Sequence, residues 1–319
     1  MATGTLLVSP LTATYGTVIS NGNGESVLDL DERQIVDLFS RSGALVLRGF
    51  NSSLDEFRTF TDCYGREFLT YQGGGFRFRS FDRRAINDES TILSVTGGSQ
   101  GFPMPLHGEM FYLKIRPRIL WFRCEIPPER DGETTLGDGA EIFAALSPAT
   151  RDLLCTRSIR YDRTLADGDW QTTFQTDDID VVREVCAAND TTMEFDAATG
   201  TLRTSFTCSA LVTDEAGRLR FINNILTVIM AERALGNGVT NAAGDAVSMP
   251  LVVRWDDGTP FAPELLKELA TVCEQCTTPV AWQAGDIVMV DNWRVMHGRR
   301  GSPPGKREVY VRMAAAATF

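Results

Sequence analysis

Hydrophobic positions recur along this chain with two periods, and the period changes at about residue 90. In LDERQIVDLFSRSG the apolar residues Ile35, Leu38 and Phe39 fall at helical spacing behind an acidic start, and Gly43 supplies a stop signal. This predicts a helix. ALVLRGF, Ala44 to Phe50, reads as a short buried strand, and LDEFRTFTDCYG as a second helix with Phe57 and Phe60 on one face. Beyond that point TILSVTGG, ILWFRCEIPP, LRFINNI, VSMPLVVRW, DIVMVDNWRVMHG and EVYVRMAAA are apolar segments separated by Gly, Pro and Asp, which are strand signals. Few β-α alternations accompany them, so an antiparallel sandwich or jelly roll is expected rather than a parallel sheet. The chain reads as one domain over residues 1–319, with the polar region 160–204 as an insertion. It shows no internal repeat, linker or low-complexity tract.

Composition narrows the function classes. With 43% hydrophobic and 23% charged residues the chain is an ordinary globular sequence. A net charge of −11 argues against a nucleic-acid partner, since phosphate binding needs a basic face. The basic run FRFRSFDRRA, Phe76 to Ala85, is short and reads as a solvated strand or loop; an alternative use for its arginines is an anionic substrate. No apolar run approaches the roughly 20 residues of a membrane span, and the first residues lack a basic start and a hydrophobic stretch, so no membrane association and a cytoplasmic location are expected. Seven scattered cysteines argue for reduced thiols rather than a disulfide framework. Cys273 and Cys276 form a CxxC within PELLKELATVCEQC, an amphipathic helix pattern, where packing is the expected role.

The chemistry concentrates in the only two histidines, His107 and His297. On a strand, His107 and Glu109 of PLHGEMFY point the same way with Cα atoms roughly 6.5 to 7 Å apart, so one ion can be held by both. His297 closes the strand-like DIVMVDNWRVMHG and supplies a third ligand. Two imidazoles and one carboxylate on one face of a metal leave the remaining positions open, as non-haem iron oxygenases require. An isolated His-x-Glu is weak evidence by itself.

The stretches GALVLRGF, PLHGEMFY, RPRILWFRCEIPPERDGETTLGDG, DWQTTFQT and DNWRVMHGRRGSPPGKREVYVRM, in that order, are similar to the taurine dioxygenase-like (TauD/TfdA) family of Fe(II)/2-oxoglutarate oxygenases. The chain resembles especially the branch of γ-butyrobetaine hydroxylase, clavaminate synthase and natural-product β-hydroxylases. The resemblance implies a mainly β fold with flanking helices, a distorted double-stranded β-helix (jelly roll) whose insertion lies on the substrate side. It implies His107, Glu109 and His297 as the iron triad, with glutamate in place of the commoner aspartate; that carboxylate argues against halogenation.

Thr134 stands where family members hold 2-oxoglutarate, and Arg307 and Arg312 both lie at the distance of the arginine that binds its distal carboxylate. Strand parity separates these two. Arg307 shares a face with Val309, Val311 and Met313, the expected interior, whereas Arg312 shares one with Glu308 and Tyr310 and is expected in an outer salt bridge such as one with Glu308. Taurine dioxygenase has a second arginine where this chain has Val311, so sulfonate recognition of that kind is not expected. Candidate substrate contacts are Trp170, Gln171, Asn223, Asn224, Met110 and Phe111, each with packing as the competing explanation.

The expected activity is an iron-, 2-oxoglutarate- and O2-dependent hydroxylation of an unactivated C–H bond. The expected substrate is an amino acid, a carrier-bound aminoacyl group or a similar small polar metabolite of secondary metabolism. Desaturation, epoxidation and cyclisation use the same cofactors and stand as alternatives. Outside the family, the alternatives are a metal-binding jelly-roll protein and a cupin-like enzyme that does not use 2-oxoglutarate. A homo-oligomer is compatible with the sequence.

Overall fold

The computed structural model describes residues 7–70, 84–95, 103–236, 251–303 and 305–319. The basic run therefore lies almost wholly outside the described residues. The two N-terminal helices form as the periodicity predicts. Asp31 caps Glu32–Ser42 by accepting from the Gln34 amide, and Ser53 and Glu56 form a capping box on Leu54–Tyr64.

Both helices pack on one face of the major sheet. Its strands run in the order Leu7–Pro10, Thr17–Ser20, Ala44–Arg48, Ile287–Asp291, Ile119–Ile126, Glu308–Ala317 and Gly65–Phe68, with Ile92–Ser94 also pairing with Glu308–Ala317. Thr17–Ser20 and Ala44–Arg48 pair in parallel; the other pairs of this sheet are antiparallel. Alternation along these strands sorts the core into two layers. Leu45, Leu47, Trp121, Ile287 and Met289 face the helices with Ile35, Phe39, Phe57 and Phe60. Val46, Leu120, Phe122, Val288, Val290, Val309, Val311 and Met313 face inward.

The inward layer meets a minor sheet ordered Thr278–Val280, Thr134–Asp138, Val295–Arg299 and Met104–His107, which contributes Val280, Leu136 and Val295. Two mainly antiparallel sheets facing each other make the jelly roll, which is not a closed barrel. Between the hydrogen-bonded neighbours Thr134–Asp138 and Thr278–Val280 the chain leaves the minor sheet. It builds a third sheet, ordered Thr192–Asp196, Thr201–Ser209, Ser158–Leu165 and Leu251–Trp255, together with several helices. This excursion extends well beyond residues 160–204 on both sides. Helix Pro263–Gln275 buries Cys273 and half-buries Cys276, and burial raises both thiols, Cys273 to about 12. That matches the packing role.

Candidate metal and cosubstrate site

His107 and His297 are paired directly across neighbouring strands of the minor sheet, with ring centroids 4.3 Å apart. His107 Nδ1 lies 2.9 Å from the Pro105 carbonyl oxygen, which accepts its proton and leaves the Nε2 lone pair for a metal. Glu109 reaches the same point, its Oε2 3.5 Å from His297 Nε2. One ligand atom from each of the three residues lies within 4.8 Å of the other two, and all three side chains are buried. A divalent ion at about 2.1 Å from each donor needs donors roughly 3 Å apart, so small side-chain adjustments close the site around iron. This is the one such cluster among the described residues.

The glycine between the ligands has a steric cause. A Cβ at position 108 would sit 2.4 Å from the Phe111 ring and 2.7 Å from Ile222 Cγ2. The Gly108 amide donates to the Asn223 carbonyl, so the segment from the excursion lies directly against the ligand pair. Gly298, beside the other histidine, is equally constrained: its Cβ would meet the Met104 carbonyl oxygen at 2.5 Å.

Arg307 and Thr134 lie close together, since Arg307 bonds the carbonyl of Gly132, two residues before Thr134. Thr134 pairs with Arg299, two residues from His297, and shares a face with Leu136, which pairs with His297 itself. Trp282 Nε1 donates to Thr134 Oγ1 at 3.1 Å, so the hydroxyl keeps its own proton for an acceptor. Arg307 is buried; its Nε donates to the Gly132 carbonyl at 2.9 Å, and its Nη1 has no partner. Burial, with the charge of Arg299 adding to it, lowers its guanidinium to about 10. A carboxylate placed there would complete its hydrogen bonds and offset its charge.

Arg312 is corrected as a cosubstrate contact. It lies on the opposite face, where Nη1 donates to Thr61 Oγ1 at 2.6 Å and to the Arg58 carbonyl at 2.9 Å, and pairs with Asp62 at 2.8 Å. Its guanidinium also stacks 3.6 Å over the Phe68 ring. The outer location follows the parity, but the partner is Asp62; Glu308 pairs with Arg84 instead.

The substrate candidates divide by whether their polar atoms are already engaged. Trp170 packs in the excursion's own core and donates to the Gly200 carbonyl, and Gln171 caps its short helix through Gly168 and Asp167. The polar atoms of both are engaged within the excursion itself. Met110 and Phe111 are buried in the apolar cluster beneath the third sheet. Asn223 accepts from the Ile225 amide and donates to the Ala210 carbonyl, a helix-capping role. Asn224 differs. Its Oδ1 is buried without a partner, as is Thr227 Oγ1 in the first turn of helix Ile225–Gly236, which Asn224 immediately precedes.

Residues that the pattern did not single out include Trp282 and Asn292. Asn292 accepts from the Glu109 amide at 2.8 Å and donates to the Glu109 carbonyl at 3.1 Å. The signal available was its position in the Asp-Asn turn before the second histidine. Asp138 caps helix Gly139–Ala145 and pairs with Arg220 and Arg294.

Comparison with known proteins identifies the family and the fold. Residues 7–313 match the family described as taurine catabolism dioxygenase TauD, TfdA family. A clavaminate synthase-like protein of Arabidopsis thaliana is 25% identical over 287 residues, covering 85% of this chain and 81% of its own. The dapdiamide synthesis protein DdaC of Enterobacter agglomerans is 23% identical over 311 residues, 95% of this chain and 91% of its own. Among solved structures, a taurine dioxygenase from Burkholderia xenovorans superposes with a TM-score of 0.58 at 15% identity, covering 97% of this chain and 89% of that one. PvcB from Pseudomonas aeruginosa gives 0.56 at 16%, covering 98% and 93%. AAD-2, solved with Mn(II) and N-oxalylglycine, gives 0.56 at 12%, covering 99% and 98%.

Proposed function

The chain belongs to the TauD/TfdA family of Fe(II)- and 2-oxoglutarate-dependent dioxygenases, and from that premise we propose that it hydroxylates an unactivated C–H bond of an amino acid or a similar small polar metabolite. The observation that carries this is the convergence of His107, Glu109 and His297 on one face of the jelly-roll interior that also holds Thr134 and Arg307. Iron with 2-oxoglutarate, when bound, supplies O2-driven oxidation of a C–H bond coupled to decarboxylation of the cosubstrate to succinate. The chain's own residues bind and orient.

His107, oriented by the Pro105 carbonyl, and His297 would each hold the metal through a ring nitrogen, and Glu109 through its carboxylate. Arg307 takes the distal carboxylate of 2-oxoglutarate with its free Nη1, and the Thr134 hydroxyl donates to the same anion. Val309, Val311, Phe122 and Leu136 form a dry wall beside them, which strengthens these charge contacts. Asn224 Oδ1 and Thr227 Oγ1 are the buried polar atoms best suited to a donor group on the substrate, such as an amine or amide. The named roles of two relatives, dapdiamide synthesis and an isonitrile synthetic pathway, support a place in secondary metabolism.

The direct test is anaerobic addition of Fe(II) and 2-oxoglutarate to apo protein. A visible metal-to-ligand charge-transfer band is expected, and it should vanish in His297→Ala. Absence of the band in the wild type would refute the assignment. Succinate release across a panel of free amino acids and their carrier-bound forms then separates free from tethered substrate, and product mass separates hydroxylation from desaturation or cyclisation.

A further inference from the structure

Asp291-Asn292-Trp293-Arg294 form the turn that joins strand Ile287–Asp291 of the major sheet to strand Val295–Arg299 of the minor sheet, which carries His297, and each of these side chains is tied to a neighbouring element. Asp291 accepts from the Trp293 amide and from Arg118 at 2.8 Å. Arg294 bonds Asp138 at 3.1 Å and the Arg41 carbonyl at 2.7 Å. Trp293, with Phe111, flanks the Arg116 guanidinium, whose carbon lies 4.1 Å from the Phe111 centroid and 5.0 Å from that of Trp293. Asn292 alone bonds the backbone of a ligand residue.

Asn292 is 0% exposed. Its Oδ1 accepts from the Glu109 amide at 2.8 Å, and its Nδ2 donates to the carbonyls of Glu109 at 3.1 Å and Pro117 at 2.8 Å. Its own amide donates to the Arg118 carbonyl. A side-chain amide that exchanges two bonds with one residue reproduces what a neighbouring strand offers in a hydrogen-bonded pair. The substitute is needed here because strand Met104–His107 has ended and the chain turns sharply: Met110 takes φ 59°, a left-handed conformation that is costly for any residue carrying a Cβ. Glu109 is thus held between a strand end and a strained residue.

We propose that Asn292 is a positioning residue that fixes the reach of the Glu109 carboxylate toward the metal and couples it to His297, which lies on the strand this turn leads into. This rests on the metal site of the proposed function. Asn292→Asp keeps the acceptor for the Glu109 amide but turns an acceptor toward two carbonyl oxygens. Asn292→Ser keeps only a shortened polar group.

The test is the dissociation constant of Co(II) and, anaerobically, Fe(II) with apo protein, read by competition against a chelator. The folded state of each apo variant is checked by circular dichroism. Loss of supporting hydrogen bonds around metal ligands typically weakens affinity about 10- to 100-fold, and a loss in that range is expected for either variant. The same substitutions in a Glu109→Ala background should add less than about twofold, because the effect travels through the missing carboxylate.

An affinity within twofold of wild type in a folded variant overturns the proposal, as does an equal loss with and without Glu109. Unfolding of both apo variants would assign Asn292 to the fold as a whole and would also overturn it. Wild-type protein that binds no metal would refute the functional assignment together with this one. Metal binding that survives intact in the variants refutes the positioning role alone.

Discussion

Arg307 and Arg312 lie five positions apart at the last long strand, both 4% exposed, yet they inhabit opposite worlds. Arg312, on the helix-covered face, has a carboxylate, a hydroxyl, a carbonyl and an aromatic ring around its guanidinium. Arg307, on the face between the sheets, has one carbonyl and an unpartnered Nη1. Each leaves one guanidinium nitrogen unpartnered, Nε in Arg312 and Nη1 in Arg307, but a carboxylate balances the charge of Arg312 whereas among the described residues no ion pair balances that of Arg307, which is therefore the one poised for an anionic ligand. Burial alone distinguishes neither; the inventory of partners does.

The largest effect that would test this contrast is on cosubstrate binding. Arg307→Ala should weaken 2-oxoglutarate by about 100-fold or more, roughly 3 kcal/mol for a buried charge-assisted contact, with the apo melting temperature unchanged or raised. Titration of the charge-transfer band checks it, and retained affinity would break the comparison. Arg312→Ala should do the reverse. It should cost about 2 kcal/mol of stability in urea unfolding through the lost bonds and ring contact, with 2-oxoglutarate affinity within about twofold of wild type. The Asp62 side chain is half-exposed, so its charge adds little to that figure.

A smaller effect concerns pH. Burial and Arg299 lower Arg307 to about 10, so the cationic form is disfavoured in the folded apo protein relative to the unfolded chain. That destabilisation is fully present below about pH 10 and is relieved as pH rises toward the ordinary arginine range. Cosubstrate affinity should move oppositely: flat from neutrality to about pH 9, then falling by up to about tenfold per unit beyond pH 10, a slope that Arg307→Ala should lack. The smallest expected effect is Gln171→Ala, with unchanged turnover and under about 1 kcal/mol of stability, since its side chain only caps a short helix.

Much of this was legible in the sequence because period-2 alternation is a local property. The residues that fill the two layers of the major sheet are readable from ILWFRCEI and EVYVRM alone, and the same parity placed the two arginines on opposite faces. The triad was legible because the chain spends its only histidines there. What remained hidden depends on contacts distant in sequence. Asp62 as the partner of Arg312 required knowing how helix Leu54–Tyr64 lies on the sheet. Trp170 looked available for substrate because nothing in DWQTTF reveals the Gly200 carbonyl that accepts from it. The third sheet was under-read because Ser158–Leu165 alternates buried and half-exposed positions with arginines and an aspartate among them, which resembles a polar insertion.

The position of His107 carries a consequence for the protein's survival. Its strand, Met104–His107, is one of the two outer strands of the minor sheet and is joined to Val295–Arg299 through an irregular register. A metal held by His107 and His297 therefore acts as a rivet across the last seam of that sheet, and free metal at 100 times its dissociation constant adds about 2.7 kcal/mol to the folded state. Iron-starved protein would fray at this seam and expose an open strand edge, the kind of surface on which chains aggregate. Iron supply would then govern how long the protein persists as well as how fast it works, and aggregation rates of apo and Co(II)-loaded protein at equal concentration would measure the difference.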